Sequence, residues 1–413
     1  MKNPFQYGKI AESENFIDRD EERRFLRNTL YSGTNVILMS PRRWGKSSLV
    51  HQAMRELAAE SGEVRVCHID AFPITSSREF LRVFAQSVLR ATSSHLQSIM
   101  EDVGRFLQGI APKISFSPEP MSEFSLSLSW SEREGEMTDI LQLPERIAKD
   151  KRLQIIVCID EFQKLAKLPD YQKLEASMRS IWQHQSRVSY CLYGSQRHMM
   201  EDIFNSPEKP FYRFGQIFPL HKIGVEHWVE YIQGRFASTG KEISAELAER
   251  VANAVECHSW YVQQLASAVW NFTVQEAGED ELRKALAWCV EINSETFRTV
   301  CDKLTAAQIG ILRALAAGEQ QFSAAETLRK YHLGTAAAVT KNKEALLRRD
   351  VITASQSRLE FLDPVFRLWF CENYMESSEF SPRNFKLSRF RDFEGSENWE
   401  NSDGSESLLT LNT

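Results

Sequence analysis

Ser40-Pro41-Arg42-Arg43-Trp44-Gly45-Lys46-Ser47-Ser48 follows the apolar run Asn35 to Met39 and precedes the amphipathic stretch Leu49, Val50, Ala53 and Leu57. Strand, loop ending in Gly-Lys-Ser, then helix is the context a phosphate-binding loop requires. The amides of Ser40 to Ser48 and the helix N-terminus are expected to wrap phosphates. Lys46 is expected to reach the β and γ oxygens, and Ser47 to ligate Mg²⁺. Ser40 stands where the first glycine of GxxxxGK[ST] is usual. Working outward, short apolar runs alternate with longer amphipathic stretches over residues 1 to about 220, with Val64 to Ile69, Leu153 to Ile159, Val188 to Tyr193 and Gly215 to Leu220 as further strands. The alternation predicts an α/β domain, residues 1–222, on a five-stranded parallel sheet. Ile114, Phe116, Phe124, Leu126, Leu128 and Trp130 instead alternate with serines around SPEPMSE, which predicts an antiparallel hairpin inserted at about 112–132.

The run Ile155 to Ile159 ends in Asp160-Glu161-Phe162. A buried parallel strand closing on two carboxylates is the usual second half of a nucleotide site. Asp160 is expected to hold Mg²⁺ through its water shell, and Glu161 to orient or deprotonate an attacking water. A solvated strand end is the plain alternative for both. From Gly224 the pattern turns helical, with Val225, Trp228, Val229 and Ile232 on one face, giving a helical unit over 223–300. Residues 301–375 then read as three short helices, with Gly318 and Gly334 as stops, and a hairpin of Val351 to Thr353 with Arg358 to Phe361. That is the order of a winged helix. Its third helix, Thr335 to Arg349, carries Lys341 and Arg348 one face apart, suited to phosphates of duplex DNA. Glu344 lies between them, so ion pairing on a solvated face accounts for the same charges.

At 413 residues the chain has room for about two to four globular units. Fifty Lys and Arg against 56 Asp and Glu, net -6, exclude a protein that coats nucleic acid through bulk positive charge. The first twenty residues carry no apolar leader, and no apolar run is long enough for a membrane span, so a cytoplasmic protein is expected. The seven cysteines form no CxxC pair, which argues against a zinc ribbon or a disulfide framework; Cys67, Cys158 and Cys191 lie in apolar runs and are expected to be buried thiols. The tail, 376–413, holds eight acidic and four basic side chains among Ser and Asn and is expected to be largely disordered. Within it Arg383, Phe385, Lys386, Arg389, Phe390, Arg391 and Phe393 interleave bases with aromatics, suiting nucleic acid, an acidic partner or docking on the protein itself.

The chain resembles the archaeal-type AAA+/STAND P-loop ATPases, whose members open with NPF-x-YG, F-x-x-R-x-x-E and SPRR-x-GKSSL. Here these are Asn3 to Gly8, Phe16 to Glu22, and Ser40 to Leu49. In that group Ser40 is ordinary. The likeness continues through Ile159 to Gln163, Leu192 to Ser195, Tyr212-Arg213, Tyr261 to Leu265 and Asp363 to Trp369. It implies an AAA+ core with helical lid and winged helix, ATP and Mg²⁺ as ligands, hydrolysis to ADP and phosphate, and a winged helix repositioned by nucleotide state. It also implies that Ser195 is the polar sensor of the γ-phosphate or lytic water, against a bland turn former. Arg213 would face the γ-phosphate of its own or a neighbouring subunit, with Arg42, Arg43 and Arg197 as rival cations. Arg19 would lie near the adenine, or else pair with Asp20, Glu21 or Glu22. Two departures stand out: the family's Gly-x-Pro turn is here Cys257-His258-Ser259-Trp260, and no arginine occupies the usual second sensor position. An ATP-licensed DNA-binding protein of origin-recognition type and a nucleotide-sensing scaffold with negligible turnover are the competing expectations. A protein partner or homo-oligomer stays open.

Overall fold

The computed structural model describes residues 2–11, 13–93, 95–106, 112–116, 124–128, 135–355 and 358–375. Trp130 and the tail expected to be disordered, with its basic-aromatic segment, lie outside the described residues.

The chain enters α1 (Asp20–Tyr31) through Arg19 in the left-handed region, and Asp20, Glu21 and Glu22 oppose the positive end of the helix. There follow β1 (Val36–Met39), α2 (Lys46–Glu60), β2 (Val64–Asp70), α3 (Ser77–Thr92), α4 (Leu96–Phe106), β3 (Pro112–Phe116), β4 (Phe124–Leu128), α5 (Gly135–Lys151) and β5 (Gln154–Asp160). The core closes with α6 (Tyr171–Trp182), β6 (Val188–Gly194), α7 (Arg197–Asn205) and β7 (Gln216–Pro219). β1 and β6 are buried at every position, as apolar strands covered on both faces must be. The sheet is parallel throughout, in the order β2-β5-β6-β1-β7. β1 therefore pairs with β6 and β7 rather than with its sequence neighbour β2. This crossover sets the ends of β1, β6 and β5 side by side, where open α/β sheets hold their ligands. The expected hairpin is present, β3 pairing antiparallel with β4 from Pro112 opposite Leu128 to Phe116 opposite Phe124.

The second half holds α8 (Val225–Ala237), α9 (Ala245–Ala254), α10 (Ser259–Phe272), α11 (Glu279–Glu291), α12 (Ser294–Asp302), α13 (Ala306–Ala316), α14 (Ala325–Lys330), α15 (Ala336–Arg348), β8 (Ile352–Ser355), β9 (Arg358–Phe361) and α16 (Pro364–Tyr374). Sequence reading assigned no element to the α16 segment, whose first turn is capped by the Asp363 carboxylate accepting from Val365 and Phe366 amides at 2.9 Å each.

Two apolar interiors cover the faces of the sheet, one built with α3, α5 and α6 and the other with α1 and α2. A third runs without interruption from Trp228 and Phe236 in α8 to Phe366 and Phe370 in α16, and Phe5 is inserted into it. Lid and winged helix thus share one interior, and the boundary expected at residue 301 falls inside α12. Among the described residues no helix is long and apolar enough to cross a membrane, and the cysteines are free thiols, with Cys67, Cys158 and Cys191 buried.

Candidate active site

Gly45, with φ of 89°, turns the loop after β1 into α2, a conformation that favours glycine. No acidic side chain and no capping hydrogen bond neutralise the first turn of α2, so its amides face the cleft unopposed. Ser47 Oγ donates to Asp160 Oδ2 at 2.6 Å, joining the loop to the end of β5. Glu161, left-handed at φ 50°, starts a 3-10 turn, Phe162–Lys167, and its amide donates to Asp160 Oδ1 at 2.7 Å. Lys46 Nζ stands 3.5 Å from Glu161 Oε1. Ser195 Oγ donates to Glu161 Oε2 at 3.0 Å, and Gln163 Nε2 donates to the same oxygen at 2.6 Å. Arg42 Nε donates to Ser195 Oγ at 3.3 Å. The loop, the two carboxylates and Ser195 are therefore one connected cluster, because β6 lies between β1 and β5.

Burial pushes the Asp160 carboxyl up, against the opposing pull of Lys46 and the Ser47 hydroxyl. A carboxylate stripped of water beside a hydroxyl is a pair of hard oxygen donors, which suits Mg²⁺ completed by waters and phosphate oxygens. Among the described residues no three His, Cys, Asp or Glu side chains could hold a metal by themselves. Ser47 and Asp160 would hold Mg²⁺, and the ion would supply charge neutralisation at bridged phosphates.

Beside this cluster opens a cleft of about 350 Å³ lined by Tyr7, Arg19, Trp44, Lys46, Trp228 and Trp260 among others. Its N-terminal wall is tied down at both ends: Asn3 Nδ2 donates to the Ser267 carbonyl at 3.1 Å, and the Ala11 amide donates to Ser48 Oγ at 2.9 Å. Tyr7 meets Trp260 edge-on at 5.8 Å, and the Arg43 guanidinium sits 4.4 Å over the Trp260 ring. Trp260, in the turn that departs from the family pattern, thus lines the cleft. Its neighbour His258 is 5% exposed, and burial pushes its imidazole down to about 3, with Lys222 adding to the effect, while a hydrogen bond to the Arg42 carbonyl opposes it.

Arg19 lines the cleft, pairs with Glu22 at 2.6 Å and donates to the His221 carbonyl at 2.6 Å. Ser40 is buried at the base of the loop, its hydroxyl on the Pro41 carbonyl. Arg213 is not brought into the cluster: its side chain is exposed, 5.1 Å over the Tyr212 ring. Arg197 pairs with Glu201 at 2.8 Å.

A family model described as "Probable winged helix domain" matches residues 295–372. No curated relative matches the sequence. Among solved structures, the Walker-type ATPase PABY2304 of Pyrococcus abyssi superposes with a TM-score of 0.63 over 89% of this chain and 99% of its own, at 16% identity. The chain has the fold of archaeal Walker-type ATPases. The ORC2 protein of Aeropyrum pernix, solved in ADPNP and ADP complexes, is similar at a TM-score of 0.54 and 16% identity, over 89% of this chain and 98% of its own.

In this Walker-type fold the winged helix touches the core next to the cluster, a contact with no signal in the sequence. Gln196, the residue after Ser195, donates from Nε2 to Asp350 Oδ2 at 3.4 Å, and Arg197 NH1 donates to the Ala354 carbonyl at 3.3 Å. Asp350 is in the turn between α15 and β8. Burial pushes its carboxyl up, the Gln196 hydrogen bond and the charges of His198 and Arg42 pull it down, and Glu161 is near enough to push it further up. The lid is tied to the winged helix through Tyr261 to Asp363 at 2.5 Å and Arg367 to Glu256 at 2.8 Å. Of the two cations expected on the basic face of α15, Arg348 pairs with Glu344 at 3.6 Å and Lys341 is exposed.

Proposed function

We propose that the chain is an ATP-hydrolysing switch: it binds ATP with Mg²⁺ in the cleft, cleaves it, and couples nucleotide state to the position of the winged helix. The contact of Asp350 with Gln196 carries this reading. It joins the winged helix to the residue adjoining Ser195, and Ser195 in turn bonds both Glu161 and Arg42. A γ-phosphate among Lys46, Ser195 and Arg42 would meet the charge of Asp350, so ATP and ADP would favour different placements.

The chemistry follows from the cluster. The amides of the Ser40–Ser48 loop cradle the phosphates and Lys46 neutralises the β and γ oxygens. Water oxygen bonds to the γ-phosphorus as the bond from that phosphorus to the β–γ bridging oxygen breaks. The electron pair leaves with ADP, and one water proton passes to the Glu161 carboxylate. Ser195 orients the groups around the γ-phosphate, and Arg42, bonded to Ser195, brings a second cation beside Lys46; Arg213, exposed, is left for a contact from a neighbouring subunit.

The test joins turnover to movement. Phosphate release is measured with and without duplex DNA. Amide exchange over residues 350–355 is then followed with ATP, with ADP and without nucleotide in a Glu161→Gln protein, which retains nucleotide without cleaving it. Turnover lost in Glu161→Gln and exchange that differs between ATP and ADP are expected. Identical exchange in all three states refutes the switch, and binding without turnover in the unaltered chain leaves the sensing scaffold. Turnover seen only with DNA selects the DNA-licensed reading.

A further inference from the structure

The Glu161 carboxylate is engaged at both oxygens. Lys46 lies 3.5 Å from Oε1, whereas Ser195 at 3.0 Å and Gln163 at 2.6 Å both donate to Oε2. Only the NH₂ group of the Gln163 amide can donate to a carboxylate, so chemistry decides which way the amide faces. The other end of that amide is then stranded: Gln163 is 0% exposed and its Oε1 is buried without a hydrogen-bond partner. A buried orphan acceptor destabilises the fold that holds it. Methionine would fill a similar volume without it, so fold stability does not account for an amide here.

The adjoining strand is shaped to admit the amide. Gly194 closes β6, and a Cβ placed on it would overlap the Gln163 amide oxygen and stand 3.0 Å from Met200 Sδ. Gly194 is not among the residues with positive φ, so what the glycine supplies is room. An orphaned acceptor and a missing side chain at the same point, both directed at Glu161, favour geometry at the site over stability.

We infer that Gln163 is the positioning residue of Glu161: its amide anchors Oε2, so that when the phosphates of ATP draw Lys46 away, the oxygen freed to take the proton of the attacking water is Oε1. This rests on the hydrolytic reading above. It also ties readiness of the base to an occupied site, since Lys46 covers Oε1 until phosphate competes for it. The terminal torsion of glutamate is broad and two-fold, so an unanchored carboxylate spreads its lone pairs over many directions. A misplacement of about 1 Å lowers rates by about 10²-fold.

The test is Gln163→Met, read by kcat, KM, ATP affinity and thermal midpoint. A kcat lower by about 10- to 100-fold, KM and ATP affinity within about twofold, and a midpoint unchanged or raised are expected, because the buried orphan is gone. Gly194→Ala, by displacing the amide, should copy the loss of kcat. In a Glu161→Gln background Gln163→Met should lower turnover no further. Parental kcat in Gln163→Met overturns the inference alone. A variant that loses kcat, affinity and thermal midpoint together, or does not fold, overturns it in favour of a structural role. Absence of turnover in the unaltered chain with ATP bound overturns this inference and the hydrolytic reading together.

Discussion

Replacing Asp350 with asparagine removes one charge and little else. Its backbone sits at φ 55°, a left-handed turn that asparagine tolerates, and an asparagine carbonyl can still accept the hydrogen bond from Gln196. What disappears is the negative charge that feels Arg42 and Glu161. Two unit charges about 8 Å apart, at an effective dielectric of about 20, repel by about 2 kcal/mol. Arg42 and salt screen part of that, so about 1 kcal/mol of discrimination against a γ-phosphate remains, roughly fivefold in affinity. Asp350→Asn should therefore bind ATP about fivefold tighter while ADP, lacking the γ-phosphate, stays within about twofold. Calorimetric titration with both nucleotides, in a Glu161→Gln background so that ATP survives, reads the ratio directly. Raising the salt should shrink the gain. Equal changes for ATP and ADP, or weaker ATP binding, would refute the argument that Asp350 senses the third phosphate.

Lys46→Ala deletes the cation on the phosphates and should weaken ATP binding by about 10²-fold; unchanged affinity in the same titration removes Lys46 from the site. Asp160→Asn tests the buried charge. The folded state raises this carboxyl, so the stability linked to it is full below the ordinary carboxylate range and is lost as pH rises through the folded value. At neutral pH the nucleotide-free variant should accordingly be more stable, by about 0.5–2 kcal/mol in urea unfolding, while ATP binding loses its dependence on Mg²⁺. His258 carries the opposite sign. Lowered to about 3 in the fold, its neutral imidazole supports stability above the unfolded value of about 6.5, and that support drains as pH falls from there toward 3. Unfolding at pH 7 and pH 5 should show a smaller difference in His258→Gln than in the unaltered chain.

What could be read from the sequence was what local chemistry states locally. The loop Ser40 to Ser48 and the carboxylates Asp160 and Glu161 are in or adjacent to the strands that present them, and Ser195 directly follows a strand whose apolar run is plain. Gln163 and Gly194 were invisible as a pair, since one is useful only where the other is missing a side chain, and the strand order brings them together. Asp350 reads as an ordinary residue before a hairpin; only the docking of the winged helix gives its charge a neighbour. Arg213 lies just ahead of β7, but its left-handed backbone at φ 52° and its contact with Tyr212 set the direction of the side chain, which no spacing rule encodes.

The shared interior of lid and winged helix makes this half of the chain a single door, hung on the frame of the sheet. The chain crosses between them twice: through the N-terminal strap, fastened to the lid at Asn3 and to the core at Ala11, and through the stretch after β7. Arg19, at the end of the strap, grips the carbonyl of His221 in the second crossing. Both hinge leaves are therefore pinned at one place. If the proposed switch operates, a body hung this way would swing about a short axis, with travel that grows with distance from the pin. The cleft lined by Arg19 and Lys46 lies close to that pin, so on the proposed switch a small displacement there would become a larger arc at the outer edge of the door.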